Sequence, residues 1–449
     1  MGRQINLTLN LLLLGLCGHA QDTLDTNFVL KKNLLRAATI HFAVQLLPWS
    51  YDKFVTKADW AKLDINSIKS NLKPKNWEWD DNSFKTNQFG HPYQGNLYYN
   101  TFRSNGYNFW ESVPAAFAGS FVWEVAAETN KFAPNDFINT SLGGITLGEM
   151  THRIAGKIVN NRARGAKRQM QEVFGFLVNP VNGLTRVISG EWGRVHAQAD
   201  TAHQLTADLN IGTRHFNVKT YQTKLRGKEE LYVRLRLLYG EKMEESNIPF
   251  DHFSAVIELG GGDSTYVNNV QVSGALKTWP MKNDGPAQHL YTITMNYDFI
   301  KNNAFQYGGQ SFTFKLMSDW NPGSKVKFTS EIGSGVIALG AVPDKYLFYG
   351  EGRNYDYCAG IQVVAAGKVN FDNKFEAEFN YRGNRFQTIN GNPSSYILNT
   401  LAADLRGYLN KRFSLAAGLG QYSLNGFFKG FENVAEIYPF ARFSIGYRL

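Results

Sequence analysis

The C-terminal stretch 435–449, AEIYPFARFSIGYRL, decides the fold of this chain. Apolar residues occupy every second position along it, namely Ile437, Pro439, Ala441, Phe443, Ile445, Tyr447 and Leu449. Toward the end of the stretch, the positions between them hold Arg442, Ser444, Gly446 and Arg448. A period of two places alternate side chains on opposite faces of a β-strand. The stretch therefore predicts a strand with one apolar and one polar face.

The same period recurs upstream, for example in residues 231–237, 291–298, 375–382 and 400–409. From about His203 onward there are roughly twelve such segments, separated by turn sequences such as WNPGSK and NGNPSS. An even number of antiparallel strands with two unlike faces is what a closed transmembrane barrel requires, because closure leaves no unpaired backbone in lipid. We predict an antiparallel transmembrane β-barrel of about twelve strands over residues 196–449.

A soluble barrel or sandwich, with its apolar face inside, is the alternative. It fits less well because the polar face carries charged residues on strand after strand, and a small soluble barrel cannot pack these in its interior. The residues predicted to face the lumen are Arg234, Arg236, Asp298, Lys315, Lys327, Glu376, Glu378, Asp404, Arg406 and Arg442. Their mixed signs predict a lumen that is crosslinked by ion pairs or occupied.

The final strand also resembles the terminal strand by which outer-membrane barrels are recognised for insertion. This resemblance implies two partners, the outer-membrane lipid and the barrel-insertion machinery. The net charge of +9 could indicate nucleic acid, but the lysines and arginines are scattered, so we predict no nucleic-acid partner. The sequence does not fix the oligomeric state.

The N-terminus, MGRQINLTLNLLLLGLCGHAQ, has the pattern of a signal peptide. Arg3 precedes an apolar run centred on residues 11–16, and Gly18-His19-Ala20 supplies the small residues of a cleavage site. We predict a signal peptide over residues 1–20 and export to the outer membrane. Of the two cysteines, only Cys358 would remain after cleavage, so no internal disulfide can form.

Residues 21–195 differ from the second half, because their apolar residues have helical spacing. Helices are predicted over 30–55, 65–72, 92–105, 109–129, a segment beginning at Pro134, and parts of 165–188. Gly144 and Gly148 are four residues apart, which predicts a close approach to another helix. We expect this helical domain to plug the lumen or to pack beneath it on the periplasmic side.

Titratable residues on these helices form the candidate site. His91, Glu124, Glu128 and Glu149 are the candidate catalytic residues, because carboxylates and a histidine on packed helices can carry out acid–base chemistry. The candidate ligand-binding residues are Tyr93, Tyr98, Arg103, Asp136 and Asn139.

A structural role competes with that interpretation, since Arg103 could form a buried ion pair with Glu124 or Glu128. Glu149 and His152 have the i, i+3 spacing found in bundle metal sites. A second such pair, which a di-metal bundle needs, is missing, so we predict no metal site and no cofactor. Gly-x-Ser-x-Gly and His-Glu-x-x-His motifs are also missing from the sequence.

The run 77–112, WEWDDNSFKTNQFGHPYQGNLYYNTFRSNGYNFWES, followed by WEVAAE, PNDFINTSLGGITLGE and HRI, resembles an uncharacterised family of Bacteroidota-type outer-membrane proteins, the domain of unknown function 3943. The resemblance covers about residues 50 to 155 and implies a location without an assigned chemistry. The chain also resembles VanZ-like envelope proteins in the spacing of six residues, which are His91, Glu124, Glu128, Asp136, Asn139 and Gly143. The multiple transmembrane helices of that group are lacking here.

Two classes of function follow from these features. The first is non-enzymatic, in which a plugged barrel binds or passes a small envelope ligand or has a structural role. The second is an envelope enzyme that modifies lipid or glycan with the His/Glu cluster of the helical domain. The sequence favours the first class.

Overall fold

The computed structural model describes residues 31–62, 64–195, 204–216, 219–220, 223–224, 228–240, 244–260, 266–282, 285–302, 304–323 and 325–449. The predicted signal peptide lies outside these residues. The chain consists of a helical region followed by a β-barrel. Within the ranges given, no helix is both long and apolar enough to cross a membrane.

Eight α-helices are described in the helical region: α1 Leu34–Tyr51, α2 Ile65–Asn71, α3 His91–Arg103, α4 Phe109–Ala126, α5 Pro134–Ile138, α6 Gly144–Ile158, α7 Gly165–Val178 and α8 Pro180–Ile188. Two π-helical turns, Thr86–Gly90 and Asn139–Gly143, lead directly into α3 and α6. The predicted helix beginning at Pro134 is therefore one continuous rod with a π-turn in it. Asn108 begins α4 with a capping box. Its side chain accepts a hydrogen bond from the backbone N–H of Glu111, and the Glu111 side chain accepts one from the backbone N–H of Asn108.

The strands are β1 Leu205–Phe216, β2 Lys219–Thr220, β3 Thr223–Lys224, β4 Lys228–Tyr239, β5 Phe253–Gly260, β6 Val267–Pro280, β7 Ala287–Lys301, β8 Gln306–Gly323, β9 Val326–Pro343, β10 Tyr355–Phe371, β11 Phe375–Asn390, β12 Ser394–Tyr408, β13 Phe413–Phe428 and β14 Val434–Arg448. The short strands β2 and β3 form a small hairpin beside β14. The other strands pair antiparallel with their neighbours, and β1 pairs with β14. The barrel is thus closed and twelve-stranded, which confirms the predicted fold class.

Ion pairs that span the interior identify the face that points into the lumen. Arg236 on β4 pairs with Glu378 on β11 at 2.5 Å, although these strands are not neighbours. Arg382 on β11 reaches Asp298 on β7 at 2.6 Å in the same way. Only an inward direction allows such contacts, so the charged face lines the lumen. The predicted crosslinking by ion pairs is confirmed.

Other side chains of the strands also project into the lumen. At one end a buried apolar layer crosses it, formed by Ile300, Phe305, Tyr307, Ile337, Cys358, Phe386, Tyr396, Leu398, Leu424 and Tyr438. Outside this layer, a shallow mouth of about 380 Å³ opens between Lys301, Tyr396 and Glu436. Among the charged residues, a space of about 20 Å³ remains, which is room for roughly one water molecule.

The helical region packs against the outer wall of the barrel. The Tyr297 hydroxyl donates to the carbonyl oxygen of Gln88 at 2.6 Å, and Tyr297 points outward because its neighbour Asp298 points into the lumen. One apolar cluster joins both parts; its members include Phe84, Tyr99, Phe109, Ile145, Met150 and Ile154 from the helices, and Tyr239, Phe253, Val272, Met295, Tyr297, Phe299, Tyr355 and Tyr357 from β4–β10.

These contacts do not place the helices inside the lumen, so the prediction that they plug it is wrong for the part of the chain described. The reason is one of surface chemistry. The lumen offers charged, already paired side chains, whereas the outward face of β7 offers Met295, Tyr297 and Phe299 as an apolar surface. Helices with an apolar face gain more free energy by burying it against that wall.

Candidate functional site

Three helices bring a histidine and two carboxylates together in the helical region. His91 is the first residue of α3, Glu124 lies near the end of α4, and Asp136 lies in α5. One ligand atom from each of the three lies within 4.8 Å of the other two. Glu124 and Asp136 are buried, and His91 is nearly so. The structure therefore brings together three of the residues singled out in the sequence.

The His91 ring is held by contacts at both nitrogens. Its Nε2 lies 3.5 Å from Oδ1 of Asp136, and its Nδ1 lies 3.4 Å from the Thr140 hydroxyl. The Asp136 Oδ1 atom also accepts from the Asn135 amide at 2.7 Å. Burial lowers the pKa of His91, although the charge of Asp80 raises it in part, and the net shift favours the neutral ring.

The carboxyl groups of this cluster have the opposite shift. Burial raises the pKa of Glu124 well above its usual range, and the nearby carboxylates of Glu128 and Asp136 raise it further. Burial and the charge of Asp80 raise the pKa of Glu128 to about 8, and they raise that of Asp136 well above its usual range. The backbone N–H of Ala133 donates a hydrogen bond of 2.9 Å to Oε2 of Glu124. These shifts favour the protonated form of all three carboxyl groups.

Asp80 belongs to this site although sequence reasoning did not select it. Its Oδ2 accepts from the Asn87 amide at 2.8 Å, and the same Asn87 nitrogen lies 2.9 Å from the Tyr355 hydroxyl and 2.7 Å from that of Tyr357. Those tyrosines belong to the barrel, so the site borders the wall on which the helices pack. Asp80 lies in a loop, where no helical spacing relates it to other residues; only the adjacent acidic pair Asp80-Asp81 could have drawn attention to it.

Glu149 is not part of the cluster. Arg103 binds it through two nitrogens, at 2.8 and 3.1 Å, and Arg153 approaches from the other side at 2.8 Å. The Tyr99 hydroxyl donates to the same carboxylate at 2.7 Å. The expected ion pair of Arg103 with Glu124 or Glu128 is therefore wrong, since Glu149 is its partner. Burial alone would raise the pKa of Glu149, but the two arginines lower it to about 2.

The other proposed ligand-binding residues have different surroundings. Tyr93 is 42% exposed, and its ring stacks on Phe89 at 6.4 Å. Tyr98 is fully buried, and its hydroxyl accepts from the Gln94 amide at 2.5 Å. Asn139 donates to the Asn87 carbonyl oxygen at 3.0 Å. Of these, Asn139 is joined to the cluster by hydrogen bonds, while Tyr93 faces away from it.

The arrangement can exchange protons or hold a cation. An imidazole with a lowered pKa beside carboxyl groups with raised pKa values can act as an acid–base pair. The same oxygen and nitrogen atoms are also the common ligands of divalent metals. His91 is in close contact with one carboxylate rather than two, and its side chain is only 14% exposed, so an external substrate has little access to this site.

Residues 76–181 match the family described as Domain of unknown function (DUF3943), and this range includes Asp80, His91, Glu124, Glu128 and Asp136. No curated protein matches the chain. Among solved structures, the NanC porin is 13% identical with a TM-score of 0.31, covering 53% of this chain and 100% of that chain.

The outer membrane channel DcaP of Acinetobacter baumannii is 7% identical with a TM-score of 0.28, covering 55% of this chain and 97% of that one. An outer membrane channel from Pseudomonas putida F1 is 10% identical with a TM-score of 0.30, covering 56% and 97% respectively.

Proposed function

We propose that this chain is a non-enzymatic outer-membrane protein whose closed barrel anchors the helical region and has a structural or ligand-binding role in the envelope rather than passing solutes. The observation that carries the proposal is the distribution of side chains over the barrel wall. Leu231, Leu419 and Phe443 point outward and are 72%, 67% and 53% exposed. Charged residues of the same strands pair across the interior. A wall that is apolar outside and polar inside is stable in lipid and unfavourable in water.

Aromatic residues at both rims support the same conclusion. Near the turns at one rim, Trp320, Phe371, Phe375 and Phe413 are exposed. At the opposite rim, Tyr349, Phe427 and Phe431 are exposed as well. Girdles of aromatic side chains flank the apolar band of outer-membrane barrels at the two membrane–water interfaces. The outer-membrane lipid is therefore the proposed surroundings of the barrel wall that the helices leave uncovered.

Export and assembly complete the proposal. We place a signal peptide at residues 1–20, and the apolar run before Ala20 supports it. The alternating final strand supports recognition by the barrel-insertion machinery. The motifs of residues 77–112 support a Bacteroidota-type origin, and the positions of His91, Asp136 and Asn139 support a likeness to VanZ-like proteins.

A pair of matched substitutions tests whether the wall faces lipid. Leu419 lies within β13 and Leu409 in the turn before it, and they are 67% and 66% exposed. In lipid, Leu419→Arg is expected to lower the free energy of unfolding by about 2 to 3 kcal/mol, because it buries a charge in hydrocarbon, whereas Leu409→Arg costs about 1 kcal/mol or less. Both variants are folded into vesicles and titrated with denaturant. The folded fraction is measured by electrophoresis of unheated samples, in which folded and unfolded chains differ in mobility. Equal effects of the two substitutions would contradict the proposal.

The ion pairs and the apolar layer that cross the lumen lead to a second prediction. The wild-type protein inserted in a planar lipid bilayer is expected to give no single-channel conductance, since ion pairs span the lumen and a buried apolar layer crosses it at one end. A general porin inserted under the same salt conditions serves as the positive control. Stable conductance steps from the wild-type chain would show that the barrel passes solutes and would contradict this part of the proposal.

A further inference from the structure

We propose that His91, Glu124 and Asp136 bind one divalent transition-metal cation, with Zn²⁺ or Mn²⁺ as the chemical class. The three ligand atoms come from α3, α4 and α5 and lie within 4.8 Å of one another. Around a tetrahedral zinc ion with bonds of about 2.1 Å, ligand atoms are roughly 3.4 Å apart. Small side-chain rotations would bring the ligand atoms from within 4.8 Å to that spacing, because all three residues lie at or near helix ends.

The first supporting observation is the missing positive charge. Glu149, Glu172 and Glu258 are buried carboxylates, and each pairs with two arginines. By contrast, over the part of the chain that the structure describes, no lysine or arginine forms an ion pair with any acidic residue of the cluster, which comprises Asp80, Glu124, Glu128 and Asp136. At those three positions arginines neutralise the buried carboxylate, and in the cluster a metal cation would supply that charge.

The second observation is a pair of buried amide oxygens without partners. Asn87 and Asn139 are both fully buried, and among the residues described neither Oδ1 atom has a hydrogen-bond partner. Asn87 precedes His91 by one turn and holds Asp80 through its nitrogen, while Asn139 follows Asp136 by one turn. Both amides therefore border the cluster. A cation with its bound water would give these acceptor oxygens a partner.

The ligand set selects the class of metal. Calcium and magnesium take oxygen ligands almost alone, whereas an imidazole nitrogen suits zinc and its neighbours in the first transition row, and carboxylate oxygens also suit manganese. Glu128 acts electrostatically on Glu124, and Asp80 does so on His91, so both are further oxygen donors for completing the coordination. Because Asn87 joins the cluster to Tyr355 and Tyr357 of β10, metal binding would also tighten the contact between the helices and the wall.

The test uses the full chain folded in detergent. It is stripped with a chelator, incubated with Zn²⁺ alone or Mn²⁺ alone, and desalted; bound metal is then measured by mass spectrometry, and the affinity by competition with a chromophoric chelator. We expect about one metal ion per chain for one of the two ions. Asp136→Asn and His91→Asn, which keep the side-chain size close to the original, are expected to lower the affinity at least tenfold.

Two variants serve as matched controls. His152→Gln removes a histidine of α6 outside the cluster, and Glu111→Gln removes a carboxylate of α4 that is exposed. Both are expected to bind metal as the wild type does. Electrophoresis of unheated samples shows whether each variant is folded. If Asp136→Asn or His91→Asn does not fold, Glu124→Gln is used in its place.

Metal should also raise the unfolding temperature of the wild type and leave that of Asp136→Asn unchanged. A wild type that retains no metal, or cluster variants that bind as tightly as the controls, would overturn the inference. The metal proposal and the membrane location are tested separately. The Leu419→Arg and Leu409→Arg variants test the location and leave the His91 site intact, so either proposal can fail without the other.

Discussion

Glu149→Ala is expected to lower the free energy of unfolding of the helical region by about 3 to 5 kcal/mol, because it leaves the largely buried Arg103 without a counter-charge and leaves Arg153 with Asp251 alone. Arg103 and Arg153 both bind this carboxylate, and Tyr99 donates to it. The Glu149 side chain is fully buried, so water cannot replace it as a partner. Thermal unfolding of the detergent-folded chain, followed by far-UV circular dichroism at the helix band, measures the effect.

An exposed carboxylate of the same region gives the control. Glu78 pairs with Lys131, but the two side chains are 53% and 60% exposed. Since surface pairs contribute little to stability, Glu78→Ala should unfold close to the wild type. If Glu149→Ala unfolds at the same temperature as Glu78→Ala, the arginines have found other partners and the ion-pair network does not hold the helices together.

The same carboxylate gives the network a defined pH dependence. Its pKa is lowered from 4.5 to about 2 in the folded chain. The stability that Glu149 contributes is therefore fully present above pH 4.5 and is lost as the pH falls toward 2. Glu149→Gln carries no charge to titrate, so its unfolding temperature should fall less steeply across that range. The unfolding temperatures of the wild type and Glu149→Gln are measured between pH 5 and about 2.5. Their difference isolates the contribution of Glu149 from that of the other carboxylates.

The barrel was predictable from sequence because its signal is local. Residues two apart in a strand point the same way, so the alternation in 375–382 or 435–449 fixes which side chains share a face. The location of the helices was not predictable in this way. Met295 and Tyr297 have the same alternating pattern as Phe375 and Phe379, yet the first two contact helices and the last two are exposed. Period two identifies the outward face without specifying what covers it.

The candidate site shows the same limit for helices. Spacing along one helix placed Glu149 near His152, but it could not show that Glu149 faces Arg103 of another helix. His91, Glu124 and Asp136 converge through the packing of three helix ends, which depends on contacts distant in sequence. The glycine spacing in α6 was informative because it concerns the backbone itself, and the predicted close helix approach is confirmed.

That close approach makes Gly144→Leu the other substitution with a large expected effect. A Cβ atom added at Gly144 would lie 2.5 Å from Gly95 Cα and 2.9 Å from Asn96 N, and still nearer to the Gly95 carbonyl carbon. All three are backbone atoms of α3, which cannot move aside as a side chain can. The helices α3 and α6 would have to separate, and we expect a loss of about 3 kcal/mol or more in the free energy of unfolding.

Gly156→Leu is the matched control, since it makes the same change in the same helix where a new Cβ meets nothing within 4 Å. Replacing an exposed helical glycine removes backbone entropy from the unfolded chain, so this variant should be slightly more stable than the wild type. Separation of α3 from α6 would also pull Arg103 away from Glu149, so Gly144→Leu should lose the acid dependence of unfolding assigned to that pair. If Gly144→Leu instead unfolds as late as Gly156→Leu, α3 and α6 do not cross through their glycines.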